Sequence, residues 1–354
     1  MYKKTYEYSD VSLSPKHVST LKSRSEADTS ISAFGQKYDT PIIAAPMPDV
    51  CDGNTAISLI ENGAMPIIHR FMSIQEQCYQ FELLKSYFVD EYGGVDLSKK
   101  CGCAIGVKGD FYQRFISLFS SGCRIFCLDT ANGANDAVKE AIFKIRDYEI
   151  YVDKVIESIN SIVIKSTESN RVYLIAGNVA SSLTYTYLAE CGVDAVRVGI
   201  GGGKVCTTRT ETGVYVPMAT VISECASAQK EGYPLIIADG GIRTPSDAAK
   251  ALALGADMVM IGSAFAGTEE APGSVINDNG RLVKLYRGAA SFGVQMEHTD
   301  NEPDYVEGKE SFVEYKGKIS KVIKRYRNGL RSSMSYMNAR TLKEFRENCE
   351  IILI

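Results

Sequence analysis

Short apolar runs recur along this 354-residue chain, each bounded by glycine, proline or asparagine and followed by a helix-compatible stretch. This alternation is typical of parallel βαβ units rather than of hairpins. Eight such units are present, with apolar runs at residues 41–47, 65–70, 101–107, 124–131, 172–178, 195–200, 234–241 and 258–263. Eight strands alternating with helices predict an α/β fold, a (β/α)8 TIM barrel without free strand edges. An open doubly wound sheet is the alternative.

Two of the segments between these runs carry clear helix signals. In the segment 244–254, Thr244 suits the N-cap, Pro245 suits the first helical position and Gly255 suits the end of the helix. Residues 136–160 form a long amphipathic stretch. That stretch predicts either one helix with an irregularity or two short helices.

The outer parts of the chain differ from the barrel pattern. Residues 1–40 precede the first barrel strand and predict a short N-terminal arm that contains a small strand. Residues 295–305 are polar and lack periodicity, which is typical of a mobile loop. They fall within a predicted C-terminal flap and active-site loop at 289–318. We therefore expect a single barrel domain over residues 1–354.

The composition narrows the kinds of partner that the chain can bind. Hydrophobic residues make up 45% and charged residues 23%, and the formal net charge is −4. A nucleic-acid-binding surface usually needs an excess of Lys and Arg, so we expect no nucleic-acid partner, whereas a small phosphorylated ligand needs only a local pocket. No stretch of about 18 apolar residues suggests a membrane span, and the first residues do not resemble a signal peptide. We expect a cytoplasmic protein without membrane contact.

Ten cysteines in such a chain predict reduced thiols rather than a disulfide framework. Cys101 and Cys103 are one residue apart in an apolar run, so both side chains point to the same face of a strand. No His or second Cys pair accompanies them, which favours core packing over a metal pair.

Glycine-rich motifs end the last two predicted strands. Asp239, Gly240 and Gly241 end the seventh strand, and Gly262 and Ser263 end the eighth. The loops at the carboxyl ends of barrel strands build the active site, and glycine lets backbone N–H groups approach a phosphate. We interpret the two loops as a phosphate site in which Asp239 accepts hydrogen bonds from ribose hydroxyls. Tight turns without a ligand are the alternative.

The sixth predicted strand leads into three consecutive glycines, followed by Lys204, Val205 and Cys206. This order holds a thiol at the barrel mouth, where neighbouring donors can lower its pKa and make it a nucleophile. The loop carbonyls are also ligands of the kind that a monovalent cation prefers. Most cysteines are core residues, but the glycines before Cys206 and the polar residues after it favour a functional thiol.

Polar motifs also end the fourth and fifth predicted strands, at residues 129–133 (DTANG) and 176–178 (AGN). Each places a polar side chain at the barrel mouth, where it can meet a cofactor amide or a substrate base. Asn-Gly at these points is equally compatible with plain turn chemistry.

Taken together, these motifs resemble the IMP dehydrogenase/GMP reductase family along nearly the whole chain. The strongest match is GIGGGKVCTTRTETG at residues 199–213. It is supported by AGN from Ala176, ADGGIRTPSDAAKALALGA from Ala238, YRG from Tyr286, EGKESFVEYKG from Glu307 and GLRSSMSY from Gly329.

Three features favour the reductase branch of that family, which converts GMP to IMP with NADPH. Only residues 70–100 separate His69 from Cys101, which leaves no room for the regulatory domain pair that the dehydrogenase usually carries there. The flap lacks the Arg-Tyr pair that the dehydrogenase uses to activate water. The DTANG run at Asp129 and STLKSRSEAD at Ser19 resemble cofactor motifs of the reductase.

The resemblance implies a role for each matching residue. Cys206 would attack C2 of the purine, and Thr208 and Glu307 would handle protons of the leaving ammonia. Substrate-binding residues would be Lys204, Asp239, Gly240, Gly241, Gly262, Ser263, Tyr286, Gly288, Ala289, Ala290 and Gly308. Cofactor-binding residues would be Ser23, Arg24, Arg70, Asp129, Thr130, Ala131, Asn178, Ile200, Gly201, Ser332, Ser333 and Ser335, partly from a neighbouring subunit. Potassium would be held by carbonyls of Gly201, Gly203, Cys206 and Arg209.

At several positions the chain departs from the common family pattern. Lys204 stands where many members have Ser, Gly202 replaces a common Pro, and Tyr215 replaces the second Gly of a TGVG run. MPDV from Met47 and AASFGVQ from Ala289 also differ from the usual motifs.

The resemblance implies NADPH as cofactor, GMP and IMP as small-molecule ligands, bound potassium and a homotetramer. Three alternatives stay open at this point. They are an IMP dehydrogenase without its regulatory domain, a non-catalytic nucleotide-binding barrel, and an FMN-dependent barrel that binds phosphate in the same loops.

Overall fold

The described part of the chain contains four β-sheets. A computed structural model describes residues 3–15, 18–92, 100–160, 170–296 and 306–354. Its strands are β1 (Val11–Pro15), β2 (Ile31–Ala33), β3 (Gln36–Tyr38), β4 (Ile42–Ala44), β5 (Ile67–Ile68), β6 (Gly102–Ile105), β7 (Ile125–Asp129), β8 (Tyr173–Val179), β9 (Ala195–Val198), β10 (Leu235–Asp239), β11 (Met258–Ile261), β12 (Ile276–Asp278), β13 (Arg281–Arg287), β14 (Glu310–Glu314) and β15 (Cys349–Leu353).

The helices lie mostly between consecutive barrel strands. They are α1 (Gly53–Glu61), α2 (Ile74–Tyr92), α3 (Phe111–Ser120), α4 (Asp136–Asn160), α5 (Ser182–Glu190), α6 (Thr208–Thr212), α7 (Met218–Ala228), α8 (Pro245–Ala253), α9 (Ser263–Ala266), α10 (Phe292–Met296), α11 (Ile319–Tyr336) and α12 (Leu342–Asn348). Among the described residues, no helix is long and apolar enough to cross a membrane.

Strands β4 to β11 form one parallel sheet in the order β4-β11-β10-β9-β8-β7-β6-β5. The two end strands meet at Met65, whose N–H donates to the Ile42 carbonyl and whose carbonyl accepts from the Ala44 N–H, both at 2.9 Å. The sheet therefore closes into a barrel, and the predicted (β/α)8 fold is confirmed over the open doubly wound sheet. All eight predicted apolar runs contain one barrel strand.

The barrel strands are buried from both sides, which is why they appear in the sequence as continuous apolar runs. Every residue of β6, β9 and β11 is buried. Cys101 and Cys103 belong to this core, as predicted, and both are fully buried.

The predicted helices are found with their expected ends. Helix α8 begins after Thr244, whose hydroxyl accepts from the Asp247 N–H at 3.3 Å, while the Asp247 carboxylate accepts from the Thr244 N–H at 2.8 Å. This reciprocal pair satisfies two donors that the first turn would otherwise leave open. The stretch 136–160 is one helix, α4, rather than two.

Outside the barrel, the described residues form three further small sheets. Strands β2 and β3 form a hairpin whose Phe34 ring meets the Tyr173 ring edge-on, with centroids 6.0 Å apart, at the start of β8. Strand β1 pairs with β15, so the predicted arm does contain a small strand. Strands β12 to β14 form a separate antiparallel sheet beside the carboxyl ends of the barrel strands.

One expectation about the flap is wrong in part. Gln295 and Met296 end the helix α10 instead of lying in a loop, and the Gln295 amide donates to the Ala290 carbonyl at 3.0 Å. This single turn is anchored by the fully buried Val294, and it is too short to leave a periodic pattern in the sequence. The rest of that segment, residues 297–305, lies outside the described residues.

Candidate active site

A cavity of about 390 Å³ opens at the carboxyl ends of the barrel strands. Most of the residues predicted from the sequence line it together. They are Arg70, Asp129, Thr130, Ala131, Asn178, Ile200, Gly201, Gly203, Lys204, Cys206, Thr208, Asp239, Gly240, Gly241, Gly262, Ser263, Tyr286, Gly288, Ala289, Ala290 and Glu307.

The thiol of Cys206 is linked to a carboxylate through one hydroxyl. Cys206 Sγ lies 3.2 Å from Thr208 Oγ1, and Thr208 Oγ1 donates to a Glu307 carboxylate oxygen at 2.7 Å. A threonine hydroxyl can accept from one group while it donates to another. The three residues, here called the relay, therefore form a continuous path for a proton between a nucleophile and an acid.

Backbone pairing brings the two parts of the relay together. Cys206 forms an antiparallel bridge with Gly308, the Thr207 N–H donates to the Glu307 carbonyl at 3.0 Å, and Lys309 N–H donates to the Val205 carbonyl at 2.9 Å. Gly308 itself does not line the cavity. It sits so close to residues 290–291 that an added Cβ would lie 2.6 Å from the Ser291 nitrogen, so only glycine fits there.

Arg197, on β9, joins the polar ends of β7 and β10. Its guanidinium donates to Asp129 at 2.7 Å and to Asp239 at 2.8 Å, and both carboxylates line the cavity. Asn178 donates to Asp239 at 2.8 Å, and Arg70 donates to the far oxygen of Asp129 at 3.3 Å. This network holds the predicted ribose and cofactor groups in fixed positions.

The charges in this network keep one another ionised. Burial by itself would raise the pKa of Asp129, but Arg197 and Arg70 hold the pKa of this carboxyl below its ordinary value. Burial would lower the pKa of Arg197, but Asp239, Cys127 and Asp129 raise it well above its ordinary value. Both groups therefore carry their charge at neutral pH.

Both predicted phosphate loops line the cavity. The Gly241 N–H donates to the Gly202 carbonyl at 3.0 Å, which joins the loop after β10 to the loop that carries Cys206. Tyr286 extends its hydroxyl to 3.4 Å from the Met47 sulfur, and burial raises the pKa of its phenol. Lys204 and Arg243 both line the cavity, so two cationic side chains are available near these loops.

The residues assigned to potassium lie in the same glycine-rich segment. The Gly203 carbonyl accepts from the Cys206 N–H at 3.3 Å, and Gly201 has a positive φ of 79°. Their ligand atoms are neutral backbone carbonyls, which suit a hard monovalent cation. The Arg209 side chain lies outside the cavity, with its guanidinium carbon 4.5 Å from the centre of the Tyr215 ring.

The second group of predicted cofactor residues lies away from this cavity. Ser23 caps the short helix Arg24–Glu26, which packs against α11, the helix that carries Ser332, Ser333 and Ser335. The segment that follows this short helix lies at the amino-terminal ends of the strands. There the Thr29 hydroxyl donates to the Asp39 carbonyl, just before β4. The structure thus brings these five residues near one another but not to the cavity of the same chain.

Sequence reasoning missed Arg197 and Arg243 as cavity residues. Arg197 could have been predicted, because it is a lone charged residue inside the apolar run AVRV, and a charge buried in a barrel needs a charged or hydrogen-bonding partner. Arg243 could not, since an arginine after a glycine turn is usually an exposed surface residue.

The closed barrel and the thiol at its mouth define the class: a (β/α)8-barrel enzyme with its site at the carboxyl ends of the strands. The chain belongs to the IMP dehydrogenase/GMP reductase family, because the model of the IMP dehydrogenase / GMP reductase domain matches residues 5–354. Members of this family are oxidoreductases that use a nicotinamide cofactor and bind GMP or IMP.

Relatives from both branches of the family are similar to this chain. A GMP reductase of Bacillus licheniformis is 34% identical over 353 residues, which cover 99% of this chain and 96% of the relative. An inosine-5'-monophosphate dehydrogenase of Nitrosopumilus maritimus is 39% identical over 262 residues, 71% of this chain and 51% of the relative. One from Borreliella burgdorferi is 30% identical over 402 residues, 99% of this chain and 94% of the relative. The chain spans about half the length of the first of these dehydrogenases.

Proposed function

We propose that this chain is a GMP reductase, which converts GMP to IMP with NADPH and releases ammonia. The relay carries this proposal, because it joins a nucleophilic thiol to a carboxylate through a single hydroxyl inside a cavity of nucleotide size. Reductases match this chain at 34–35% identity over nearly their full length, against 30% for the Borreliella burgdorferi dehydrogenase over a similar share, and this supports the same branch.

The relay residues suit each step at C2 of the purine. Cys206 attacks C2 as a thiolate, and its proton can pass through Thr208 to Glu307. The amine on C2 is a poor leaving group, so Glu307 returns a proton to the nitrogen as the C–N bond breaks and ammonia departs. This leaves a thioimidate on Cys206.

The second half of the reaction needs a hydride at the same carbon. NADPH supplies that hydride when bound, and C2 accepts it. The C–S bond then breaks, and IMP leaves with Cys206 again free. Asp129, Thr130 and Ala131 line the cavity beside Arg197, where they can orient the nicotinamide.

The other parts of the nucleotide have matching partners. Asp239 is oriented by Arg197 and Asn178 and faces the cavity as a ribose acceptor. The glycine loops at residues 240–241 and 262–263 surround the 5'-phosphate together with Tyr286, and Lys204 adds a positive charge that a serine would not supply. Carbonyls of Gly201, Gly203, Cys206 and Arg209 would hold potassium, which would supply a positive charge beside the loop that carries the thiol.

The enzyme is further proposed to be a cytoplasmic homotetramer. All ten cysteines are free thiols, which suits a reducing compartment. Ser23, Arg24 and the serines of α11 lie away from the cavity of their own chain, so their cofactor contacts would serve a neighbouring subunit.

IMP dehydrogenase activity is the second candidate, because relatives with that name match the chain at up to 39–40% identity. That reaction needs a base that activates a water molecule, which then hydrolyses the same adduct on Cys206. Among the described arginines near the relay, Arg287 is held by the Asp49 carboxylate at 2.8 Å, and Arg209 lies on the Tyr215 ring. Both are engaged in contacts that a water-activating base would have to give up.

The two candidates are separated by one pair of assays on the purified protein. NADPH oxidation with GMP is compared with NAD reduction with IMP, both followed at the nicotinamide absorbance band. We expect steady turnover only in the first assay, and Cys206→Ala should abolish it while GMP binding stays within about tenfold. Steady NAD reduction with IMP, and none of NADPH with GMP, would establish the dehydrogenase instead.

A further inference from the structure

Tyr215 lies beside the loop that carries the thiol, but it has no part in the relay. The loop runs from Gly199 to Pro217 between β9 and α7, and we call it the thiol loop. Tyr215 is half-buried near its end.

The ring of Tyr215 contacts the thiol loop on both sides of Cys206. A Cβ added to Gly201 would lie 3.0 Å from the ring and 3.6 Å from the Arg209 Cβ, so ring, glycine and arginine pack together. The Arg209 guanidinium carbon lies 4.5 Å from the ring centre, within range of a cation–π interaction. Gly201 precedes Cys206 in the loop and Arg209 follows it, so a single ring contacts the thiol loop on both sides of Cys206.

The hydroxyl of Tyr215 is held by the N-terminal arm. It donates to one carboxylate oxygen of Glu7, whose other oxygen accepts from the Met218 N–H at 3.3 Å.

Glu7 in turn belongs to a segment that is fastened at several points. The Tyr6 N–H donates to the Thr220 hydroxyl at 2.7 Å, and the Lys250 ammonium donates to the Tyr8 carbonyl at 2.8 Å. The arm is therefore a fixed support from which Glu7 can restrain Tyr215.

We propose that Tyr215 is a positioning residue for Cys206: Glu7 holds its hydroxyl, and its ring braces the thiol loop at Gly201 and Arg209. The brace keeps the thiol in line with Thr208 and the reacting carbon. It acts on rate rather than on ligand affinity, because neither Tyr215 nor Glu7 lines the cavity. The inference rests on Cys206 being the nucleophile proposed above.

The test measures the thiol directly, so it does not depend on which nucleotide the enzyme turns over. Cys206 alkylation by iodoacetamide is followed by peptide mass in wild type, Tyr215→Phe, Glu7→Ala and the double variant. Each single change frees the loop and should raise the alkylation rate about threefold or more, the scale of one lost hydrogen bond. The double variant should match Glu7→Ala, because Tyr215→Phe removes no further hydrogen bond once Glu7 is gone.

Turnover of GMP provides the second readout. In the same variants kcat should fall while KM for GMP and NADPH stays unchanged, and Tyr215→Leu, which also removes the aromatic face, should lower kcat further. Tyr79→Phe, on the exposed face of α2, is the matched control and should change neither rate.

Two results would overturn the brace. One is an alkylation rate within experimental error of wild type in Tyr215→Leu. The other is fully additive effects of Glu7→Ala and Tyr215→Phe, since independent contributions would mean that Glu7 does not act through Tyr215. A protein that alkylates as expected but fails to reduce GMP would support the brace and contradict the proposed reaction.

Discussion

Thr208 stands between a thiol and a carboxylate, and its single hydroxyl serves both. Its Oγ1 lies 3.2 Å from Cys206 Sγ and 2.7 Å from a Glu307 carboxylate oxygen. A proton that leaves the thiol through this hydroxyl therefore ends on the carboxylate. An amide in place of that carboxylate would keep the shape of the relay but could not take up or return a proton.

Glu307→Gln should therefore separate the two half-reactions. Departure of ammonia needs a proton on the leaving nitrogen, so GMP reduction should fall by about 10² or more, the usual scale of general acid–base catalysis. The half-reaction from IMP also has to release the thiol proton, but it has no leaving nitrogen to protonate, so a burst of NADPH formed from IMP and NADP should fall less than GMP reduction. Rapid-mixing absorbance measures both.

The control for this change is Glu347→Gln on α12, which removes an exposed carboxylate far from the cavity and should leave both half-reactions intact. Equal loss of both half-reactions in Glu307→Gln would contradict the assignment of Glu307 to the ammonia proton.

At the scale of elements, strands β7, β9 and β10 end in charges that share one guanidinium. The side chain of Arg197 is 9% exposed and lies between Asp129 and Asp239. Removing one member of a buried ion group leaves the others uncompensated, which costs more than the net contribution of the intact group.

Arg197→Met should destabilise the protein by about 3 kcal/mol or more, because two buried carboxylates lose their shared partner. Urea denaturation measures the change in the free energy of unfolding. Arg171→Met is the comparison: Arg171 is 46% exposed where it pairs with Asp194, and its loss should cost less than about 1 kcal/mol. A similar small loss for Arg197→Met would show that the network is dispensable for folding.

The elements also show what the sequence could predict. The eight barrel strands were predictable because each is buried on both faces and therefore forms an uninterrupted apolar run. Helix α8 was predictable because Thr244, Pro245 and Gly255 mark its ends. Helix α10 was not, because one turn held by Val294 leaves no pattern.

The site was predictable to a different degree. The glycine loops and Cys206 stand out from residue type and place in a barrel, but Glu307 is separated from Thr208 by 99 positions and was found only through family resemblance. Arg197 was missed because the apolar pattern of a strand predicts which residues are buried, but it does not show which carboxylates a buried arginine pairs with. Tyr215 was noted as a departure, yet its contacts with Glu7 and Arg209 exist only in three dimensions.

At the scale of the whole molecule, the proposed cofactor residues fall into two groups that one chain does not bring together. Arg24 lies on a short helix against α11, away from the cavity that contains Cys206. If both groups bind one cofactor, the second must come from another copy of the chain.

Mixing two inactive variants tests this arrangement. Cys206→Ala lacks the nucleophile, and Arg24→Ala should bind NADPH poorly while losing less with NADH, because a guanidinium recognises phosphate. After dissociation and random reassembly at equal amounts, about one quarter of the sites should combine an intact Cys206 with an intact Arg24 from the neighbour. Recovered NADPH-dependent activity near that fraction is expected, and no recovery would place both residues in one subunit's site.

The pairing of β1 with β15 joins the first strand of the described chain to the last. Synthesis runs from the amino terminus, so β1 leaves the ribosome long before its partner has been translated. The two strands can therefore pair only when translation is nearly complete, whereas the partners of residues 6–8 of the arm, Tyr215, Thr220 and Lys250, are made earlier. The support of the loop that carries Cys206 can therefore assemble before the first and last strands of the described chain are joined.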